Sequence, residues 1–423
     1  MHSRGWGRTP HAAPRHGSSQ SRRLAACAPP PPGYRVRTRR GSGTSVFRSI
    51  AAGACALALA GCQTIDRPDF TLAELRAASP AIRHEAGSLQ DRDRFLAEVR
   101  AAGANPSDGA FDLLALSSGG ANGAYGAGVL VGWTRHGDRP QFEVVTGVSI
   151  GALIAPFAFI GPDGDGALRA AFTDGRSDRL MQPRWAMALF GPGLYRGRPL
   201  RELVARGVDD DLLRRVAEGH RAGRRLYVAT TSLDTREQVI WDMGALAASG
   251  EPDARDRFID ILTAAASVPG AFPPVFVELE NGGRRVRELH ADGRTSANFF
   301  IAPESVLRDN LPIRTEAAAA ATPGRIWVIV NGTPEERFGV SPYSGLAVAS
   351  RSLESLLNSL TRTNLVATAQ FARLNGFAFA ATDAGELGAD QPLAFQQAHM
   401  IELFELGERR AVEGQAWATN DPR

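Results

Sequence analysis

Glu143-Val144-Val145-Thr146-Gly147-Val148-Ser149-Ile150-Gly151 opens a stretch that carries no charge from Val144 to Ile160. Its first four residues read as a short buried strand, and the residues from Ile150 onward read as an apolar helix. Between them a serine stands on the strand-to-helix turn, with Gly147 and Gly151 on either side. A nucleophile raised on so tight a turn needs small neighbours, because the backbone is strained and the adjoining chain crowds it. A helix that starts near Ile150 also aims its positive N-terminal end at the serine oxygen. Ser149 is therefore the candidate nucleophile. The stretch is no membrane span, since Gly147, Gly151 and Pro156 break it and exposed backbone groups are costly in hydrocarbon.

Upstream, Asp112-Leu113-Leu114-Ala115-Leu116 is another short apolar strand, followed by Ser118-Gly119-Gly120-Ala121-Asn122-Gly123. The 21 residues from Leu113 to Trp133 are uncharged, but six glycines and Asn122 argue for a buried strand–turn–helix unit. A phosphate loop of the Gly-x-x-x-x-Gly-Lys type is impossible in a chain without lysine, and the glycine spacing fits a dinucleotide fingerprint poorly. What the turn offers is bare backbone N–H groups. Those of Gly119, Gly120 and Ala121 are the candidate oxyanion-hole donors, with Gly123 supporting the turn. Further strands are expected at Arg225–Thr230, Gln238–Trp241, Val275–Leu279, Val286–Leu289, Ile326–Val330 and Phe377–Ala381, and helices at Phe258–Ala266, Leu346–Leu374 and Ala398–Val412. Short buried strands alternating with helices predict an α/β fold with a mainly parallel sheet covered on both faces.

A serine needs a base. Asp292-Gly293 follows the strand Val286–Leu289, and a carboxylate within hydrogen-bond reach can take the proton. An aspartate of ordinary pKa, near 4, is a weak base, so its surroundings must raise its basicity or hold the serine very well. His290 stands two residues away, on the same side of an extended chain, which leaves a Ser-His-Asp arrangement open beside a Ser–Asp pair. His84, His136, His220 and His399 lie in polar or helical stretches with nothing to orient them.

In this order and spacing the blocks resemble the patatin-like phospholipase family, whose pattern runs Gly-Gly-Gly-x-Arg/Lys-Gly, then Gly-x-Ser-x-Gly, then Asp-Gly-Gly/Ala. A fourth stretch, Ala264 to Pro274, is similar to the family's Ala-Ser-x-x-x-Pro-x-x-Phe-Pro-Pro block. The resemblance covers roughly Asp112 to Val412. It implies a three-layer α/β/α sandwich with a mainly parallel central sheet. It implies also a Ser149–Asp292 dyad that hydrolyses lipid acyl esters through an acyl-enzyme, with Gly119, Gly120 and Ala121 as oxyanion donors. Gly147, Gly151, Gly123 and Gly293 are the supporting motif positions. The implied substrate is membrane phospholipid or lysophospholipid, with no metal or organic cofactor. Three positions depart from the pattern: Ser118 replaces the first glycine, Asn122 stands where a basic residue is usual, and Arg294 follows Asp292-Gly293 in place of a small residue. Asn122 weakens any cationic contact with a head group there; Arg294 either supplies that charge or is solvated. Two other outcomes use the same residues, an acyltransferase with the same dyad and a catalytically silent envelope lipoprotein.

Composition sets the frame around these motifs. The chain has 423 residues, 43% of them hydrophobic, ample for a real core. All 48 basic residues are arginine, and residues 1–61 hold ten of them with no acid. The remaining 38 face 45 Asp and Glu, a net charge of −7, so the sequence pI near 9.0 is no argument for nucleic-acid binding. Residues 1–45 have no apolar period that could fold. Ile50 to Ala60 are eleven consecutive apolar or glycine residues, the length of a secretory core rather than of a spanning helix. Leu59-Ala60-Gly61-Cys62 then resembles the lipobox of bacterial lipoproteins, and a translation start near Val46 gives that leader a compact form. The resemblance implies lipidation at Cys62, membrane attachment through it and, with Gln63 next, a place in the bacterial cell envelope at the outer membrane. Cys27 and Cys55 leave with such a signal, so no disulfide within one mature chain and no cysteine-based metal site is expected. The expected domains are a leader over 1–61, a linker with short helices over 62–110, the acyl hydrolase over 111–415 and a tail over 416–423. Met181, Trp185, Met187, Leu189, Phe190, Leu194 and Tyr195, between Leu180 and Leu203, suit a lid, a wall against acyl chains or ordinary core.

Overall fold

The computed structural model describes residues 67–78, 81–104, 106, 108–175, 195–281, 283–335, 338, 340–389 and 395–417. The leader, Cys62 and the apolar residues Met181 to Leu194 lie outside them. The described strands are β1 Arg83–Glu85, β2 Phe111–Leu116, β3 Val144–Val148, β4 Arg225–Ser232, β5 Gln238–Asp242, β6 Val275–Asn281, β7 Arg284–Asp292, β8 Gly324–Val330 and β9 Phe377–Asp383. The helices are α1 Leu72–Ala78, α2 Leu89–Ala102, α3 Gly123–His136, α4 Ile150–Ile160, α5 Asp165–Thr173, α6 Gly197–Gly207, α7 Asp210–Arg221, α8 Met243–Ala248, α9 Ala254–Ala265, α10 Glu304–Arg308, α11 Glu316–Ala321, α12 Gly345–Leu374 and α13 Gln397–Val412.

One sheet organises them. Its centre, β4-β3-β2-β8-β9, is parallel throughout. The pairings β1–β5, β4–β5, β4–β7 and β6–β7 are antiparallel, which narrows the expectation of a mainly parallel sheet to those five strands. Connections as short as 233–237 between β4 and β5, and 282–283 between β6 and β7, leave room only for hairpins.

Side-chain alternation along the central strands feeds two separate cores. Leu114 and Leu116 of β2, Val145 of β3 and Leu226 and Val228 of β4 enter one, with residues of α3, α4 and α13. Phe111, Leu113 and Ala115, Val144 and Val148, and Tyr227 and Ala229 enter the other, with residues of α2 and the C-terminal part of α12. Period-two strands buried on both faces thus give the expected three layers, helix, sheet and helix. Glycines bring α3 and α13 into backbone contact: a Cβ at Gly128 would meet Phe404 O, and one at Gly407 would meet Tyr125 O. No described helix is long and apolar enough to cross a membrane.

The folded body is wider than residues 111–415. β1 forms a sheet edge on β5, and its Arg83, His84 and Glu85 are all buried. Charges can be buried there because they are paired. Arg83 donates to Glu85 Oε1 at 2.6 Å and to Glu288 Oε1 at 2.8 Å, and His84 Nε2 lies 3.1 Å from Glu98. At the other end, Trp417 packs on Trp133 and Trp327, with ring centroids 4.5 and 4.8 Å apart.

Candidate active site

The strand register explains how residues distant in sequence meet. β3 runs along one edge of β4 as far as Val148, which lies opposite Ala229. β5 holds the other edge, opposite Thr230 and Thr231 among others. β7 also pairs with Thr230, Thr231 and Ser232, so it must use the β3 edge, entering head-on where β3 stops. Asp292 ends β7 opposite Thr230, one position beyond Ala229. The residue after β3 and the last residue of β7 therefore face each other, and Ser149 Oγ donates to Asp292 Oδ2 at 2.5 Å.

Ser149 has φ 56° and ψ −123°, a conformation that costs a non-glycine residue about 1–3 kcal/mol and persists only where neighbours enforce it. The enforcement is close packing. A Cβ at Gly147 would lie 2.5 Å from Gly151 O, and one at Gly151 would lie 2.6 Å from Ser117 O. Ser149 also begins α4, its carbonyl accepting from Ala152 N at 2.9 Å.

Asp292 is fully buried and held on every side. Oδ1 accepts from the Arg294 amide at 2.8 Å, and the carbonyl accepts from Thr295 Oγ1 at 2.6 Å and Thr231 Oγ1 at 3.2 Å. Its own amide donates to Ser267 O at 3.0 Å, which ties in the Ala264–Pro274 block. Gly293 leaves no space for a side chain, since a Cβ would sit 2.5 Å from Ala229 O. Burial pushes the Asp292 carboxyl up to about 6, against the opposing hydrogen bonds from Ser149 and the Arg294 amide and the charge of Arg294.

The glycine turn lies against the same helix start. A Cβ at Gly123 would run into the Ile150 side chain, and Gly120 shares a cavity wall with Ser149. Among the described residues, the amides of Gly119 and Gly120 donate to no backbone carbonyl. Gly120 turns at φ 57°, and Ala121 is fully buried in the short 3-10 turn behind it. The same cavity, about 280 Å³, is lined by Leu153, Phe157, Leu168, Phe172, Val204 and Phe272. Leu200 and Leu203, from the end of the expected lid-or-wall stretch, are in the wall, and Tyr195 stacks on Phe272 at 5.5 Å.

His290 belongs elsewhere. Its Nδ1 is 2.9 Å from Thr230 Oγ1 and its Nε2 is 3.0 Å from Glu288, while the ring stands edge-on to Trp241. Neither nitrogen bonds Ser149, whose hydroxyl donates to Asp292. Among the described residues no group of three His, Cys, Asp or Glu could hold a metal ion.

Residues 114–314, which contain the glycine turn, Ser149 and Asp292, match the family model described as patatin-like phospholipase. The chain carries a patatin-like phospholipase domain. That match supports lipid hydrolase activity in general. Among solved structures it is similar to VipD from Legionella pneumophila, with 14% identity, a TM-score of 0.33, and coverage of 73% of this chain and 68% of VipD. No curated protein matches it.

Two departures of this patatin-like domain from the family pattern, Ser118 and Asn122, have side-chain partners. Ser118 bonds Asn298 through its hydroxyl and, at 2.9 Å, through its amide, which straps the glycine turn to the segment after Asp292. Asn122 is buried and donates to Gly388 O at 2.8 Å. Asn331 bonds Ser117 through both its amides, each at 2.8 Å. Sequence reasoning did not single out Asn298 or Asn331, because a loop asparagine carries no pattern until its partner is known.

Proposed function

We propose that the patatin-like domain is a serine acyl-ester hydrolase of the phospholipase A or lysophospholipase kind. Asp292 takes the proton as Ser149 Oγ attacks the ester carbonyl carbon, and the amides of Gly119, Gly120 and Ala121 receive the oxyanion. The C–O bond then breaks, Asp292 returns the proton to the departing alcohol, and the acyl group stays on Ser149. Water, deprotonated by Asp292, attacks the acyl-enzyme and releases the fatty acid. The observation that carries this reading is the 2.5 Å bond between the Ser149 hydroxyl and a buried carboxylate at the mouth of an apolar cavity. A carboxyl raised to about 6 is a stronger base than an ordinary aspartate and still ionised at neutral pH. The cavity gives the acyl chain a place to lie. In the same reading, the lipid on Cys62 holds the domain at a bacterial outer membrane, where its substrate is.

The test is a fluorophosphonate probe with lipid-product mass spectrometry. Wild type should label and release fatty acid from phospholipid; Ser149→Ala should do neither, and Asp292→Asn should be slowed by at least about 10³-fold. An unlabelled wild type would leave a silent scaffold, and acyl transfer to an added alcohol in preference to water would make the protein an acyltransferase.

A further inference from the structure

The hydrolase reading leaves one charged side chain beside the reacting pair without work. Arg294 follows Asp292-Gly293, and its amide holds Asp292 Oδ1. Its side chain is half-buried with Nε sealed from solvent, yet among the described residues nothing accepts a hydrogen bond from that nitrogen. Asp292 and Glu354 act on its charge through space. Both oxygens of Asp292 are already engaged, one by Ser149 and one by the Arg294 amide. An unpartnered buried Nε recurs on Arg83, Arg139 and Arg314, but there terminal guanidinium nitrogens have oxygen acceptors, whereas among the described residues those of Arg294 have none. Arg83 has Glu85 and Glu288, Arg139 has Asp165 and two carbonyls, Arg224 has two carbonyls, and Arg314 has Thr322 O. Arg294 is also absent from the apolar cavity wall that includes Ser149.

A guanidinium whose charge is felt at Asp292 but which lies outside the acyl cavity suits an anion carried by the other half of the substrate. In a glycerophospholipid that anion is the phosphodiester, a few bonds from the ester carbonyl, and its paired oxygens match the guanidinium fork. A free fatty-acid carboxylate does not fit the role, because its carboxyl carbon is the one attacked at Ser149. Resting on the hydrolase reading, we propose that Arg294 is the head-group receptor of this site, binding the phosphodiester of a glycerophospholipid whose acyl chain fills the cavity. The residue thereby sets preference for charged over neutral acyl esters.

The experiment compares dioctanoyl phosphatidylcholine with dioctanoylglycerol, which has the same chains and no phosphate. Their ratio of kcat/KM cancels any effect that Arg294→Gln has on Asp292 or on folding. Wild type should favour the phospholipid, Arg294→Gln should lower the ratio about 10- to 100-fold, chiefly through KM, and Arg294→Lys should restore part of it. An unchanged ratio overturns the proposal. A second arm measures binding of monomeric dihexanoyl phosphatidylcholine to Ser149→Ala with and without Arg294→Gln. Equal affinities overturn the proposal even if wild type cleaves neither lipid, an outcome that sinks the hydrolase reading separately. Inorganic phosphate should compete poorly; competition at lower concentration than the lipid would mark a free-anion site instead.

Discussion

At the residue scale the decisive fact is that Asp292 is asked to carry a charge where water cannot reach it. Its folded-state carboxyl titrates at about 6, against an ordinary value of 3.8. Between those values the folded chain binds the proton more tightly than the unfolded one, so this group makes stability fall as pH rises through that window. On the proposed mechanism activity runs the opposite way, since only the carboxylate can accept the serine proton. Hydrolysis should therefore climb with pH to a plateau above about 6, while Asp292→Asn, at least about 10³-fold slower there, should be more stable than wild type at pH 7. The gain is roughly 3 kcal/mol and should vanish near pH 4, as read from urea unfolding at the two values. Ser149 and Asp292 were both legible in the sequence because glycines mark their turns. The direction of the His290 ring was not. Strand periodicity puts His290 on the same side as Asp292, and only the packing of Thr230, Glu288 and Trp241 shows where its ring goes.

At the scale of elements, the apolar strands and the long helices α12 and α13 follow their sequence patterns closely, because each buries side chains at the period of its own geometry. β1 does not. Arg-His-Glu carries no apolar pattern, and its burial as strand goes with distant partners: Arg83 donates to Glu288 of β7, and His84 Nε2 lies beside Glu98 of α2. No local rule sees a partner some 205 residues away. The glycines of α3, which argued against a membrane span, have a positive role in the fold: they let the backbone of α13 lie directly on α3. Gly128→Val should force the two helices apart and lower stability by about 3 kcal/mol or more, measured by denaturant unfolding. The neighbouring helix α4 offers the complementary change, at the cavity instead of the helix contact. Leu153→Trp should fill part of the 280 Å³ and shorten the preferred acyl chain in a series of nitrophenyl esters. Wild type should gain up to about 4-fold in kcat/KM for each added methylene until the cavity is full.

For the whole molecule, charge and address divide the labour. The body beyond residue 61 is acidic, so an anionic bilayer repels it, and the proposed attachment rests on a lipid at Cys62. Two or more acyl chains at one cysteine meet the requirement for stable anchoring. Cys62→Ser should accordingly move the protein from the detergent phase to the aqueous phase in a phase-partition assay and abolish incorporation of a clickable palmitate. Exposed Val348, Leu353 and Leu356 on the first turns of α12 leave apolar surface on the same body. The three-layer architecture was legible as a whole because its blocks fall in family order. The antiparallel flank was not, since it depends on hairpin lengths that no motif records.

The meeting of β3 and β7 on one edge of β4 also has a consequence in time. A ribosome releases Ser149 long before it has made Asp292, 143 residues further on. Throughout that interval the nascent chain holds only an inert alcohol. On the proposed dyad, a product cut short anywhere before β7 lacks its base, and esterase activity arrives as a single late event.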